Sequence, residues 1–251
     1  MDLILTGERT LPGLDVENYW FRRHEAAYEW AAGRLRDVGR ILEAGLGEGY
    51  GAARLADAGN TVVGIDYDAA AATHAAQAYP QLTVVRGNVV ELPFRDAEFD
   101  AVVSMQVVEH LWDQPRHVAE CARVLRPGGY FVISTPNRVT FSPGYDPAAG
   151  APANPFHTRE LSDAELAELL APHFGEISRY GLSAGPRLRT LDSWCTASYG
   201  KDLVAAQLGS PPSQWPADLR AAVTGIRTTD FTVTPDDVAA SLDLITLARR
   251  T

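Results

Sequence analysis

The stretch that most constrains this chain is Arg40-Ile41-Leu42-Glu43-Ala44-Gly45-Leu46-Gly47-Glu48-Gly49-Tyr50-Gly51. Val38 to Leu42 is mostly apolar and strand-like. Glycines follow at 45, 47 and 49, and Ala52, Ala53, Leu55 and Ala56 then carry helical spacing. A glycine turn between strand and helix lets backbone approach a ligand closely, because no Cβ intervenes. The turn is expected to floor a nucleotide-like site, with the elements after it forming the walls.

Those elements alternate. Thr61 to Ile65 reads as a second strand, Ala69 to Ala78 as a helix and Leu82 to Arg86 as a third strand. Phe99 to Met105 is nearly continuous in apolar residues, as a central parallel strand should be. A helix near Pro115 to Leu125 stops at Arg126-Pro127-Gly128-Gly129, and Tyr130 to Asn137 is the fifth strand and its exit. Ser162-Asp163-Ala164-Glu165 is a capping box opening a helix to about Ala171, and Glu176 to Tyr180 reads as a sixth strand. Leu242 to Ala248 is a last strand able to return antiparallel. The expectation is an α/β, doubly wound, mostly parallel seven-stranded Rossmann-like sheet with an antiparallel last strand. Residues 1–37 are expected to form an N-terminal helical lid and 38–181 the core. Residues 182–238 would be a helical insertion and acceptor cap, with helices around Leu203 and Ala217 to Val223, and 239–251 the final strand.

The residues at the strand tips suggest the ligand. Asp66 follows Glu43 by 23 positions, at the tip of the second strand, where a carboxylate accepts from ribose hydroxyls. Tyr67 suits an adenine face, although it is equally a plain strand-end aromatic. Asn88 suits an adenine edge, although an isolated Asn after a strand is more often a turn residue. Gly47-Glu48-Gly49-Tyr50-Gly51-Ala52 formally matches a dinucleotide fingerprint, but its register is wrong. Counted from Gly45, the third glycine position is Tyr50, and Glu43 at the strand end would repel a pyrophosphate. Glu43, the spaced glycines, Asp66, Asn88 and Val107 together favour an adenosine joined to a cationic amino acid.

Residues 40 to 137 resemble the class I S-adenosylmethionine-dependent methyltransferases. The marks are Glu43 to Gly49, Asp66, Gly87-Asn88-Val89, Val107-Val108-Glu109-His110 and Leu125 to Gly129. The resemblance implies S-adenosyl-L-methionine as cofactor, expected to be held by Glu43, Gly45, Gly47, Asp66, Tyr67, Asn88, Val89 and Gln106; its carboxylate needs a cation, which Arg22, Arg23 or His24 of the N-terminal helix could supply, Arg23 being the choice. Leu46 stands where relatives often have Cys, and Asn88 where they often have Asp. A narrower resemblance covers almost the whole chain. Thr6 to Thr10, Glu17 to His24, Thr135 to Arg138 and Asn154 to Leu161 resemble the mycobacterial sugar 1-O-methyltransferases of methylmannose polysaccharide synthesis. It implies methyl transfer to the 1-hydroxyl of a short, partly methylated mannoside, with Tyr19, His24, Asn137 and Arg159 on the acceptor. The loop Tyr145 to Ala153 is longer here, which bears on the acceptor and leaves the donor unaffected.

A sugar hydroxyl is a poor nucleophile until its proton leaves, so a base is expected. His157 is the first choice, on a Pro-stiffened segment at the active edge and beside Arg159 and Glu160; Glu109 and His110 are in reserve. Any of the three could instead be structural. Oxygen and imidazole ligands would converge there on a divalent ion such as Mg, but no spacing demands one and no metal is expected. The net charge of −10 with no basic stripe argues against nucleic acid, and Cys121 and Cys195, without metal-type spacing, read as small apolar fillers. No apolar run is long enough to span a membrane and the N-terminus lacks signal-peptide features, so a cytoplasmic protein with a small oligosaccharide acceptor is expected, a homodimer being left open. Two rivals remain: a methyltransferase for a lipid or other small metabolite, and a non-catalytic donor-binding protein. The first would differ only in residues 138–160 and 182–238.

Overall fold

A computed structural model describes residues 10–148, 150–152 and 154–251. Thr6 to Arg9, part of the expected N-terminal loop and of the narrower resemblance, lie outside the described residues, as do Ala149 and Ala153. Among the described residues eight strands are formed: β1 Arg40–Ala44, β2 Thr61–Asp66, β3 Thr83–Arg86, β4 Phe99–Met105, β5 Leu125–Pro136, β6 Phe174–Ala184, β7 Phe231–Thr234 and β8 Asp243–Arg250. They make one sheet in the order β3-β2-β1-β4-β5-β8-β6-β7. β1 to β5 are parallel, and β8 runs antiparallel between β5 and β6. The strand beyond the expected seven is β7, inside the segment expected to be helical. Its Phe-Thr-Val-Thr sequence is β-branched and aromatic, and it pairs antiparallel with the far edge of β6, so that edge is not left open.

Alternate residues of the central strands enter opposite layers. Ile41 joins one cluster with Ala101, Val103, Val132 and Ile245. Leu42 and Ala44 join the other, with Val102, Phe131, Ile133 and Leu244. The first layer is closed by α1 Asn18–Arg34, α2 Tyr50–Asp57 and α3 Ala69–Ala78. The second is closed by α4 Gln114–Val124 and, after the short α5 Arg138–Phe141, by α6 Asp163–Leu170. Burial on both faces explains why β1 and β4 read as apolar runs rather than alternating ones. α6 starts at the expected capping box, with Ser162 accepting from Glu165 N–H and the Glu165 side chain accepting from Ser162 N–H.

The segment between β6 and β8 contributes α7 Pro186–Tyr199, α8 Leu203–Leu208 and α9 Ala217–Thr224 besides β7. It docks on α1. Asn18 Nδ2 donates to the carbonyls of Val223, Thr224 and Ile226 at 2.9, 3.2 and 2.8 Å, and the Tyr19 ring meets Phe231 edge-on. Both cysteines are buried and free. From β1 the chain turns toward β2, and from β4 toward β5. The crevice between β1 and β4 is therefore the switch point at which α/β sheets bind ligands.

Candidate active site

The glycine turn leaves β1 as the sequence implies. Gly45 has φ +91°, and a Cβ there would collide with the Val107 side chain coming off β4, so only glycine fits. Gln106, at the tip of β4, has φ +55°, a strained value for a side-chain-bearing residue. Its N–H donates to the Ser134 carbonyl at 3.0 Å and its Nε2 to Ser134 Oγ at 3.2 Å. Asp66 accepts from Gly47 N–H at 2.8 Å and from Asp68 N–H at 2.9 Å, locking the turn to the end of β2. These residues wall a cavity of about 270 Å³ with His24, Tyr28, Tyr67, Val89, His110 and Leu111.

Glu43 lies fully buried under this floor. The Tyr28 hydroxyl donates to its Oε1, while its Oε2 has no hydrogen-bond partner. Burial pushes its carboxyl up to about 8; the Tyr28 bond opposes that rise and the nearby Asp66 adds to it. Tyr28 also packs flat enough against Gly51 that a Cβ there would overlap its ring. Gly51, the fourth glycine of the stretch, thus makes room for a tyrosine from α1. His24, on the same wall, is pushed down to about 4 by burial, so it is neutral at physiological pH.

The three expected proton-transfer residues converge beside the cavity. Glu109 is fully buried, and its Oε2 accepts from Thr135 Oγ1 at 3.0 Å. Burial raises its carboxyl to about 7, against its own backbone N–H, His157 and Thr135. His110 Nε2 is 3.9 Å from Glu109 Oε1, and the His110 ring meets His157 edge-on at 4.9 Å. The His157 tautomer follows from its neighbours. Phe156 N–H donates to Asn154 Oδ1 at 3.0 Å, which turns the Asn154 amide nitrogen toward His157 Nε2, also at 3.0 Å. Nε2 therefore carries the lone pair, and Nδ1–H donates to Glu160 Oε1 at 2.7 Å. One ligand atom each from Glu109, His110 and His157 lies within 4.8 Å of the others, a carboxylate and two imidazoles able to hold a divalent transition metal.

Residues 42–133 match the family described as a methyltransferase domain. The chain is 50% identical over 255 aligned positions to a probable S-adenosylmethionine-dependent methyltransferase of Mycolicibacterium smegmatis, across 99% of this chain and 95% of that one. The chain belongs to the S-adenosylmethionine-dependent methyltransferases. A similarly described Mycobacterium tuberculosis protein is 48% identical over 260 positions, covering 99% of this methyltransferase and 90% of the relative. In fold it resembles an S-adenosylmethionine-dependent methyltransferase structure from Thermotoga maritima, with a TM-score of 0.61, 20% identity and 93% of each chain covered. The cavity fits S-adenosylmethionine. Of the lining residues, the Asp66 carboxylate suits ribose hydroxyls and the exposed Tyr67 ring suits an adenine face, while Glu43, which lies beneath the turn and does not itself line the cavity, holds a partnerless buried oxygen whose negative charge would favour a cationic amino group above it.

Five expected site residues lie elsewhere in this methyltransferase. Arg23 is buried, with Nε and Nη2 each 2.6 Å from Asp243 and Nη2 also donating to the Leu242 carbonyl at 2.8 Å, so this edge of its guanidinium ties α1 to β8. Tyr19 packs into the core between Trp20 and Phe231. Asn137 is fully buried; it caps α5 and donates to the Ala239 and Ser241 carbonyls. Arg159 pairs with Glu165 on the surface. The Asn88 side chain accepts from Val90 N–H, and it is Val89 that lines the cavity. Tyr28 lines the cavity and His117 contacts the Val89 turn, besides the expected residues. Tyr28 shares a helix face with His24 at i, i+4, a spacing that would have paired them. His117 was also missed: its Nδ1 donates to the Val89 carbonyl at 3.1 Å and Ser104 Oγ lies 3.0 Å from its Nε2, holding the adenine-side turn from behind.

Proposed function

We propose that this protein transfers a methyl group from S-adenosylmethionine to a sugar hydroxyl, the 1-hydroxyl of a short, partly methylated mannoside in polymethylated polysaccharide synthesis. The observation that carries the oxygen-directed part is the His157 arrangement. A lone-pair nitrogen is fixed by Glu160 behind it and held in reserve by the Asn154 amide in front, next to the cavity wall at His110. The acceptor hydroxyl takes the place of the Asn154 amide, and His157 Nε2 receives its proton while Glu160 steadies the imidazolium. Glu109, titrating near neutrality, and His110 stand within reach to share that proton. The bound donor supplies an already activated methyl group. The protein's remaining work is alignment and exclusion of water, done by the Gly45 turn, Gln106 and the α1 wall. The sugar class is supported by the motif resemblance around Asn154 to Leu161 and by the absence of any basic stripe.

A radiolabelled-methyl transfer screen over methylated and unmethylated manno- and gluco-oligosaccharides, with and without chelator, tests the reading. Turnover confined to lipids or other small metabolites would replace the sugar. Loss of turnover with chelator would give Glu109, His110 and His157 to a metal. His157→Ala is expected to lower kcat by about 10²- to 10⁴-fold while donor affinity by calorimetry stays unchanged. Normal turnover in that variant would end the base assignment.

A further inference from the structure

Two large aromatic side chains stand exposed on the segments that carry the His–Glu cluster: Trp112, 92% exposed, and Phe156, 45% exposed. An indole left in water on a slack loop would need no explanation. The backbone under this one is pinned. Thr158 Oγ1 donates to the Leu111 and Glu109 carbonyls at 2.7 and 3.1 Å. Gln114 Nε2 donates to the Val108 and Arg159 carbonyls at 2.9 and 2.8 Å, and Asp113 caps α4 through Arg116 N–H at 3.0 Å. Phe156 is fixed on the facing segment, its N–H on Asn154 and its carbonyl 3.1 Å from His110 Nδ1. Leu111, the neighbour of Trp112, lines the donor cavity. The backbone that carries both aromatic residues is thus pinned beside the site, and the indole of Trp112 recovers little of its hydrophobic cost from packing against the rest of the chain.

We propose that Trp112, assisted by Phe156, is the acceptor platform, with a pyranose ring lying against the indole face and its reacting hydroxyl turned toward His110 and His157. This rests on the sugar reading above. A pyranose offers a face of polarised C–H bonds, and the π face of an indole carries the matching negative quadrupole, while the ring hydroxyls remain free at the edges for water and for polar side chains. A flexible acyl or isoprenoid chain would instead need a groove that covers it from several sides, and Trp112 offers one open, flat surface. The surface also asks for no charge on the acceptor, which suits a protein of net charge −10.

Steady-state kinetics on the best saccharide from the screen test the platform with the whole chain. Trp112→Ala is expected to raise the acceptor KM about tenfold, with kcat nearly unchanged and donor affinity by calorimetry unaltered; Trp112→Phe should recover most of the loss. A wild-type acceptor KM in Trp112→Ala, with saccharides still methylated, overturns the platform and leaves the sugar reading standing. Failure of the wild-type protein to methylate any saccharide overturns the sugar reading and the platform with it. Because the indole is exposed, an unchanged melting temperature is expected for both variants and separates lost binding from lost folding.

Discussion

At the scale of single residues, Glu43 is where burial and ligand binding pull against each other. Its carboxyl, held at about 8 by burial, keeps a proton in the folded protein that the unfolded chain, ionising at its ordinary 4.5, has already lost. The folded state binds more protons throughout that window. The group's contribution to stability is therefore complete below about 4.5 and drains away as pH rises through 8. Glu43→Gln removes this slope. Between about pH 5 and about pH 8 its stability relative to wild type, read by thermal melting without donor, should improve by up to a few kcal/mol. A constant difference across that range would show that the buried carboxyl ionises normally. A cationic ligand reverses the balance by favouring the carboxylate, so donor binding near neutrality should release up to about one proton, measured by calorimetry in buffers of different ionisation enthalpy, and Glu43→Gln should abolish the release. The carboxylate could be found from sequence because it sits in fixed register with the glycines. Its partner Tyr28 could not, since nothing local marks a hydroxyl on α1 as reaching under the turn. The pairing of Arg23 is hidden for a related reason: the acid that binds it, Asp243, is 220 residues away.

Elements were readable wherever their ends carry local chemistry. The capping box at Ser162 and Glu165 fixes the start of α6, and the Arg-Pro-Gly-Gly run ends α4 at Val124. α7 had the equivalent signals, Pro186 at its first turn and Gly200 in the left-handed conformation after its end, with φ +68°. Its apolar residues are too few and scattered to show a stripe, because only Leu188 and Cys195 are buried. β7 is four residues long and becomes a strand only because the edge of β6 is there to receive it. The union of α1 with β8 is likewise tertiary, and it is testable. Arg23→Ala leaves Asp243 buried without its cation and should cost about 3–5 kcal/mol in urea unfolding, whereas replacing both by apolar residues of similar volume should restore most of it. Because Arg23 does not line the cavity, donor affinity in the apolar double variant should stay within about threefold of wild type, a change of less than about 1 kcal/mol. A larger loss would return Arg23 to the donor site.

Across the whole molecule, α1 is the member that the donor cavity and the insertion share. Its His24, Ala27 and Tyr28 face the cavity. One turn or two away, Asn18 holds the carboxyl end of α9, Tyr19 holds Phe231 of β7, and buried Glu25 binds Arg22, Arg54 of α2 and Thr228 of the insertion. A ligand that orders α1 must also steady whatever α1 grips, since a packed helix does not bend freely between its two ends. Donor binding is therefore expected to slow amide hydrogen exchange in residues 217–234, which the cavity does not reach, as well as in α1 and the glycine turn. Asn18→Ala removes three hydrogen bonds from the far end of that beam and leaves the cavity face intact. In this variant the protection of the glycine turn should persist while that of residues 217–234 fades. If residues 217–234 stay protected, the coupling runs through the Glu25 cluster or the Arg23–Asp243 pair, and a second exchange experiment on Thr228→Val would separate those two. If neither region responds in the wild-type protein, α1 is a fixed wall, and the acceptor has to enter past Trp112 with no movement of the insertion at all.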